Sequence, residues 1–230
     1  MESLSVVIPA FNEEQTIARV VADVHAALEG KLDYEIIIVD DGSTDGTCDV
    51  AEKLAGKRVR MARHTRNRGS GRAIRTGLEK AGMTLATYVP ADGQFDPREL
   101  PDFVRAAAAG ADIVVGYRTH REGYGVIRKA QSALYVWLVN FVFRQSFRDV
   151  NWVHLWRVES AGRLPLLSDG VFMQQELLTR ARRRGMKIAE APSEFHSRAG
   201  GLAKGSRPMV ILKTLLEVVR FLFAGLRGAS

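Results

Sequence analysis

A chain of 230 residues, 46% hydrophobic and 26% charged, has an ordinary globular composition and is long enough for one large α/β domain, or a domain with an appendage. Its one cysteine, Cys48, excludes an internal disulfide framework and a cysteine-based zinc site, and suits a reducing compartment. The net charge of +7 is unevenly placed, with 14 Lys/Arg against 18 Asp/Glu in residues 1–117 and 19 against 8 in residues 118–230, so the basic back half is expected to face phosphates, anionic lipid or nucleic acid.

Met1-Glu2-Ser3 runs straight into Leu4-Ser5-Val6-Val7-Ile8, which predicts a strand rather than a secretion signal. Strands are predicted near 4–9, 34–40, 58–63, 85–91 and 112–116, with helices at 13–29, 46–55, 70–81 and 97–109 between them. This alternation predicts βαβ units and a mostly parallel sheet. Asn12 is the expected cap of the first helix, with Gln15 at its third position. Asp96-Pro97-Arg98-Glu99 carries a stronger start signal, a cap followed by proline and then glutamate.

The run Ile36-Ile37-Ile38-Val39 ends on Asp40-Asp41-Gly42-Ser43. In open α/β sheets ligands bind just beyond the carboxyl ends of the strands. Two carboxylates there suit a base N–H or ribose hydroxyls better than phosphate, which predicts a nucleotide crevice.

After Gly125 the pattern changes. Residues 126–145 read as a helix carrying Arg128 and Lys129 near its start and Tyr135, Trp137, Phe141 and Phe143 beyond. A broken segment follows, then a helix near 172–184 and a strand near 187–194. The glycine-rich run from Arg198 to Gly205 reads as a mobile loop. Residues 209–226 are nearly all apolar, but Lys213, Glu217 and Arg220 fall on one narrow face at helical spacing. Those charges argue against a membrane span, which leaves a helix lying in a membrane surface or one packed on the domain core.

Four segments in fixed order, Val7 to Glu14, Val39 to Ser43, Asn67 to Gly71 and Ala91 to Gln94, resemble the inverting family 2 glycosyltransferases over roughly residues 3–205. The basic back half is most similar to the polyprenyl-phosphate hexose transferases of that family. The resemblance implies a GT-A fold, a Rossmann-like, mostly parallel sheet flanked by helices. It further implies a transferase domain at 1–205, with a nucleotide-sugar half to about 117 and an acceptor half beyond, and an amphipathic membrane-facing tail at 206–230.

The same resemblance implies roles for individual residues. Pro9, Ala10 and Glu13 would line the base pocket, and Asp41 would hold the base or ribose. Asn67, Gly69 and Gly71 would let backbone approach the nucleotide, where a Cβ would block it. Asp92 and Gln94 match the metal-binding strand end, where Mg²⁺ or Mn²⁺ would bridge the diphosphate; many relatives carry an acid two residues earlier, and this chain has Pro90. Arg118, Arg128 and Ser132 would grip an acceptor phosphate, the last two sharing a helix face at i, i+4. Asp149 would lie near the sugar, and Arg198 and Lys204 would close over the donor diphosphate.

The expected activity is inverting transfer of a hexosyl group from GDP-mannose or a UDP-hexose to a polyprenyl phosphate, at the cytoplasmic face of an anionic membrane. An ionised phosphate needs no general base. A hydroxyl acceptor would need one, with Glu176 or Asp149 as candidates. The remaining alternative is a non-catalytic nucleotide-sugar or nucleic-acid binding module, although acids at the strand ends would repel nucleic acid phosphates.

Overall fold

Seven strands form one sheet in the order β3-β2-β1-β4-β6-β5-β7 in a computed structural model that describes residues 2–120, 126–196, 214 and 216–223, with backbone alone at 126–128 and 131. In chain order these are β1 (Ser3–Ala10), β2 (Asp33–Asp40), β3 (Val59–Arg63), β4 (Leu85–Tyr88), β5 (Ile113–Arg118), β6 (His154–Arg157) and β7 (Ile188–Ser193). The helices are α1 (Ile17–Leu28), α2 (Thr47–Leu54), α3 (Ser70–Lys80), α4 (Leu100–Ala108), α5 (Val126–Phe143) and α6 (Met173–Arg183), followed by α7 at 216–223. The expected α/β architecture is therefore present.

β1 pairs in parallel with both β2 and β4, so the chain winds outward on one side of β1 and then resumes on the other. In open α/β sheets such a reversal marks where ligands bind, beyond the carboxyl ends of the strands, here β1, β2 and β4. Ile36, Ile37, Ile38 and Val39 are all buried, as a parallel strand covered on both faces requires. β6 alone runs antiparallel, between β4 and β5. It lies in the stretch expected to be broken, because four residues carry too little pattern; pairing on both edges and the complete burial of Trp156 hold it.

Two helix starts differ in outcome. Asp96 caps as expected, its carboxylate accepting the Arg98 N–H at 2.9 Å; a 3-10 turn at Pro97–Glu99 precedes α4. Asn12 does not cap α1, which begins at Ile17. It adopts φ +54°, its N–H donates to Ser43 Oγ at 3.0 Å and its Oδ1 accepts the Thr44 N–H at 2.9 Å. Asparagine tolerates this left-handed conformation, and tertiary contacts to the next strand end prevail over a local cap.

Among the described residues no helix is long and apolar enough to cross a membrane. The described part of the tail packs on the domain. Phe221 is 3% exposed and lies 5.7 Å from Phe172 and 5.9 Å from Phe143, ring centre to ring centre. Glu217, on the stripe expected to be polar, is turned toward the domain beside Phe221 and bonds the Asp169 and Gly170 N–H groups, while Leu216, Val219, Leu222 and Phe223 face outward with Arg220.

Candidate active site

The turn after β2 is built around its two carboxylates. Asp40, buried, accepts the Ser43 N–H at 3.0 Å and pairs with Arg63 Nε at 3.3 Å. Asp41, also buried, accepts the Arg68 N–H on Oδ1 at 3.0 Å and the Gly69 N–H on Oδ2 at 2.8 Å. Its Oδ1 lies 2.6 Å from His64 Nδ1, and His64 Nε2 lies 2.9 Å from Thr76 Oγ1. Asp41 thus clamps the 67–71 loop, and a carboxylate has about four acceptor positions, so capacity for a further donor remains on Oδ2. Gly42 has φ +72°, and a Cβ there would sit 2.5 Å from the Arg66 backbone. Only glycine lets the two loops close on each other.

Pro9 and Ala10 end β1 beside this turn, and the Ala10 carbonyl accepts the Asp41 N–H at 2.8 Å. Glu13 donates its N–H to Thr47 Oγ1 at 2.8 Å and accepts from Thr16 Oγ1 at 3.2 Å. These residues and Asp41 lie at or just beyond the carboxyl ends of the parallel strands, as does Asn67, which is exposed. Gly71 has a different reason for being glycine than the sequence suggested. A Cβ on it would lie 2.1 Å from the Gly170 carbonyl oxygen, so the close approach is to the protein's own backbone.

Asp92 and Gln94 follow β4. Asp92 Oδ1 accepts the Gln94 N–H at 3.1 Å across Gly93, whose φ is +72°. Phe95 anchors this turn to Phe103 and Trp152, with ring centres 6.1 and 6.2 Å away. Among the described residues no cluster of three or more His, Cys, Asp or Glu is placed to hold a metal ion. The donors at this turn are one carboxylate and one amide oxygen, hard ligands that suit Mg²⁺ or Mn²⁺ when diphosphate oxygens complete the coordination.

On the acceptor side, Arg118 and Asp149, expected to contact acceptor phosphate and sugar respectively, are paired with each other. Nε and a terminal nitrogen of Arg118 donate to the two Asp149 oxygens at 2.7 and 3.0 Å, with the side chains 6% and 1% exposed. Arg118 also lies 5.0 Å over the Trp152 ring. The buried pair joins β5 to the 149–152 segment, so the position fits a structural and positioning role. Ser132 is half-buried on α5; the side chain of Arg128 lies outside the described residues, as do Arg198 and Lys204.

Glu176 is likewise engaged. It is fully buried and accepts the Leu167 and Ser168 N–H groups and Arg180 Nε, each at 2.8 Å. Both carboxylates that sequence reasoning offered as general bases are therefore committed to holding the fold.

His64, Asp169 and Trp152 carry interactions that sequence reasoning missed. One signal was available for His64: it follows β3 directly, as Asp41 follows β2, and polar residues at the ends of adjacent strands come together. His154 is buried in β6, and burial outweighs the nearby Asp149 carboxylate in pushing its pKa down to about 4. The unfolded chain, with a histidine pKa of about 6.5, then binds the proton that the fold refuses, so stability falls by up to about 3 kcal/mol as pH drops from 6.5 to 4. Denaturant titrations across that range should show this slope, and His154→Gln should flatten it.

Residues 5–170 match the family described as Glycosyl transferase family 2. The chain belongs to glycosyltransferase family 2. As a family 2 enzyme it is a nucleotide-sugar glycosyltransferase. It is 28% identical over 228 residues to a dolichol-phosphate mannosyltransferase of Pyrococcus furiosus, covering 96% of this chain and 62% of that relative. It is 35% identical over 144 residues to a dodecaprenyl-phosphate galacturonate synthase of Rhizobium johnstonii, covering 60% of this chain and 41% of that one. The transferase therefore spans less than two thirds of either relative. Its fold matches a crystal structure of glucosyl-3-phosphoglycerate synthase from Mycobacterium tuberculosis in complex with Mn²⁺, uridine diphosphate and phosphoglyceric acid. The TM-score is 0.73 at 22% identity, over 97% of this chain and 78% of that one.

Proposed function

We propose that this glycosyltransferase moves a hexosyl group from GDP-mannose or a UDP-hexose to a polyprenyl phosphate, with inversion, at the cytoplasmic surface of an anionic membrane. The observation that carries this reading is an apolar strip shared by two helices. Leu134, Trp137, Leu138 and Phe141 stand at i, i+3, i+4 and i+7 on α5, and Leu216, Val219, Leu222 and Phe223 stand on α7. Each is between 39% and 71% exposed. The Phe143–Phe221 contact joins the two helices, so their apolar residues form one surface. A cavity of about 420 Å³ at this junction is lined by Arg144, Arg182 and Arg183 beside Val142 and Leu222. Exposed apolar side chains bordered by cations fit the interface of an anionic bilayer.

The acceptor reading uses the same helix. Arg128 and Ser132 lie on α5, which carries the apolar strip, and a lipid phosphate arriving from the bilayer would meet that element. Commitment of Glu176 and Asp149 to the fold also supports an acceptor that needs no general base. On the donor side, Pro9, Ala10, Glu13, Asp41 and the 67–71 loop would hold the nucleoside. Asp92 and Gln94 would hold Mg²⁺ or Mn²⁺, which neutralises charge on the departing diphosphate.

The test is a panel of GDP- and UDP-sugars incubated with polyprenyl phosphate in anionic vesicles and, separately, with 3-phosphoglycerate, with glycolipid and nucleotide release followed. Transfer to the lipid alone is expected. Arg128→Ala should raise the polyprenyl phosphate concentration needed for half-saturation by about 10- to 150-fold through loss of a charge-assisted contact, with donor affinity retained. Transfer to phosphoglycerate, or no effect of Arg128→Ala, would sink the lipid-phosphate assignment.

A further inference from the structure

The peptide unit joining Asp169 to Gly170 is hydrogen-bonded at both ends by distant parts of the chain. Its N–H, that of Gly170, donates to Glu217 Oε1 at 2.8 Å, and the same oxygen accepts the Asp169 N–H at 3.2 Å. Its carbonyl oxygen, that of Asp169, accepts the Arg72 N–H in the first turn of α3 at 2.8 Å. A peptide unit is planar and rigid, so the carboxylate that orients its N–H also orients its carbonyl. Hydrogen bonds in series polarise one another.

Both sides of this unit are packed without slack. A Cβ at Gly170 would lie 2.7 Å from Glu217 Oε2, and one at Gly71 would lie 2.7 Å from the Asp169 carbonyl oxygen. The Asp169 carboxylate also pairs with Arg75 of α3 at 2.9 Å. The loop seated against this backbone is the one whose Arg68 and Gly69 N–H groups are held by Asp41. Contacts therefore run without a break from α7, through the 169–170 peptide, to the loop at the carboxyl end of the sheet.

We propose that Glu217 is a positioning residue for the donor site: from α7 it fixes the 169–170 peptide on which the 68–72 loop is seated. The affinity part of this proposal rests on the reading that this loop borders the nucleotide. It also makes the tail a working part of the transferase rather than an appendage.

Amide hydrogen exchange and nucleotide titration on the full chain test it. Glu217→Ala should speed exchange at Arg68, Gly69 and Arg72 as well as at Asp169 and Gly170. It should weaken binding of UDP or GDP with Mg²⁺ by about 3- to 30-fold, the range for coupling through packed networks. Glu217→Gln keeps an acceptor oxygen and should restore most of both. Arg220→Ala, on the exposed side of the same helix, should change neither. Faster exchange confined to Asp169 and Gly170, or unchanged nucleotide affinity in Glu217→Ala, overturns the proposal. Should the alanine variant not fold, Glu217→Asp, one methylene short, carries the same readouts. If neither nucleotide binds the wild type, the donor assignment falls, and the exchange pattern still decides the role of Glu217.

Discussion

Asp92→Asn is expected to slow sugar transfer by about 100-fold or more and to leave the melting temperature near that of the wild type. The two outcomes separate because of what Asp92 does locally. Its Oδ1 accepts the Gln94 N–H across the Gly93 turn, and an asparagine Oδ1 can accept the same bond, so the turn survives. The negative charge does not. Of the two oxygen donors at this turn only Asp92 is charged, and weaker hold on a divalent cation leaves the diphosphate without its counter-charge as it departs. Turnover measured across Mg²⁺ and Mn²⁺ concentrations, beside thermal unfolding, checks this. Near-normal turnover at low metal would remove Asp92 from the chemistry.

Asp149→Asn should do the reverse and act first on stability. It removes the carboxylate charge that pairs with Arg118, whose side chain is only 6% exposed, and breaking one side of a buried pair costs about 3–5 kcal/mol. In a chain of this size the melting temperature should fall by about 10 °C or more. The double change Asp149→Leu with Arg118→Met should regain a good part of that loss, because it removes both charges of the buried pair. A general base would behave differently: Asp149→Asn would then keep its melting temperature and lose turnover. Calorimetry beside single-turnover kinetics distinguishes the two.

The family and the alternating α/β order were legible in the sequence because they rest on local patterns. The Ile36–Val39 run ending at Asp40-Asp41, the Asp96-Pro97 helix start and the glycines of the 67–71 loop are each readable within a dozen residues. Hydrophobic periodicity and turn chemistry act at that range. That Asp41 and Asp92 both lie at the carboxyl end of the sheet follows from β2, β1 and β4 being parallel, which alternation already implied.

Tertiary structure alone decided who partners whom. Arg118 and Asp149 are 31 positions apart, and nothing local distinguishes a buried ion pair from an arginine kept for a phosphate. β6 has four residues and gains its stability from strands on both edges, so its own sequence carries little signal. Gly71 looked like room for a ligand and proved to be room for Gly170, since a glycine in a sequence does not say what approaches it. The 209–226 segment showed a polar stripe and an apolar arc, and the pattern could not say which side meets the protein. Hydrogen bonds from Asp169 and Gly170 turn Glu217 toward the domain beside the buried Phe221 and leave Leu216, Val219, Leu222 and Phe223 outward, because partly buried backbone N–H groups need acceptors.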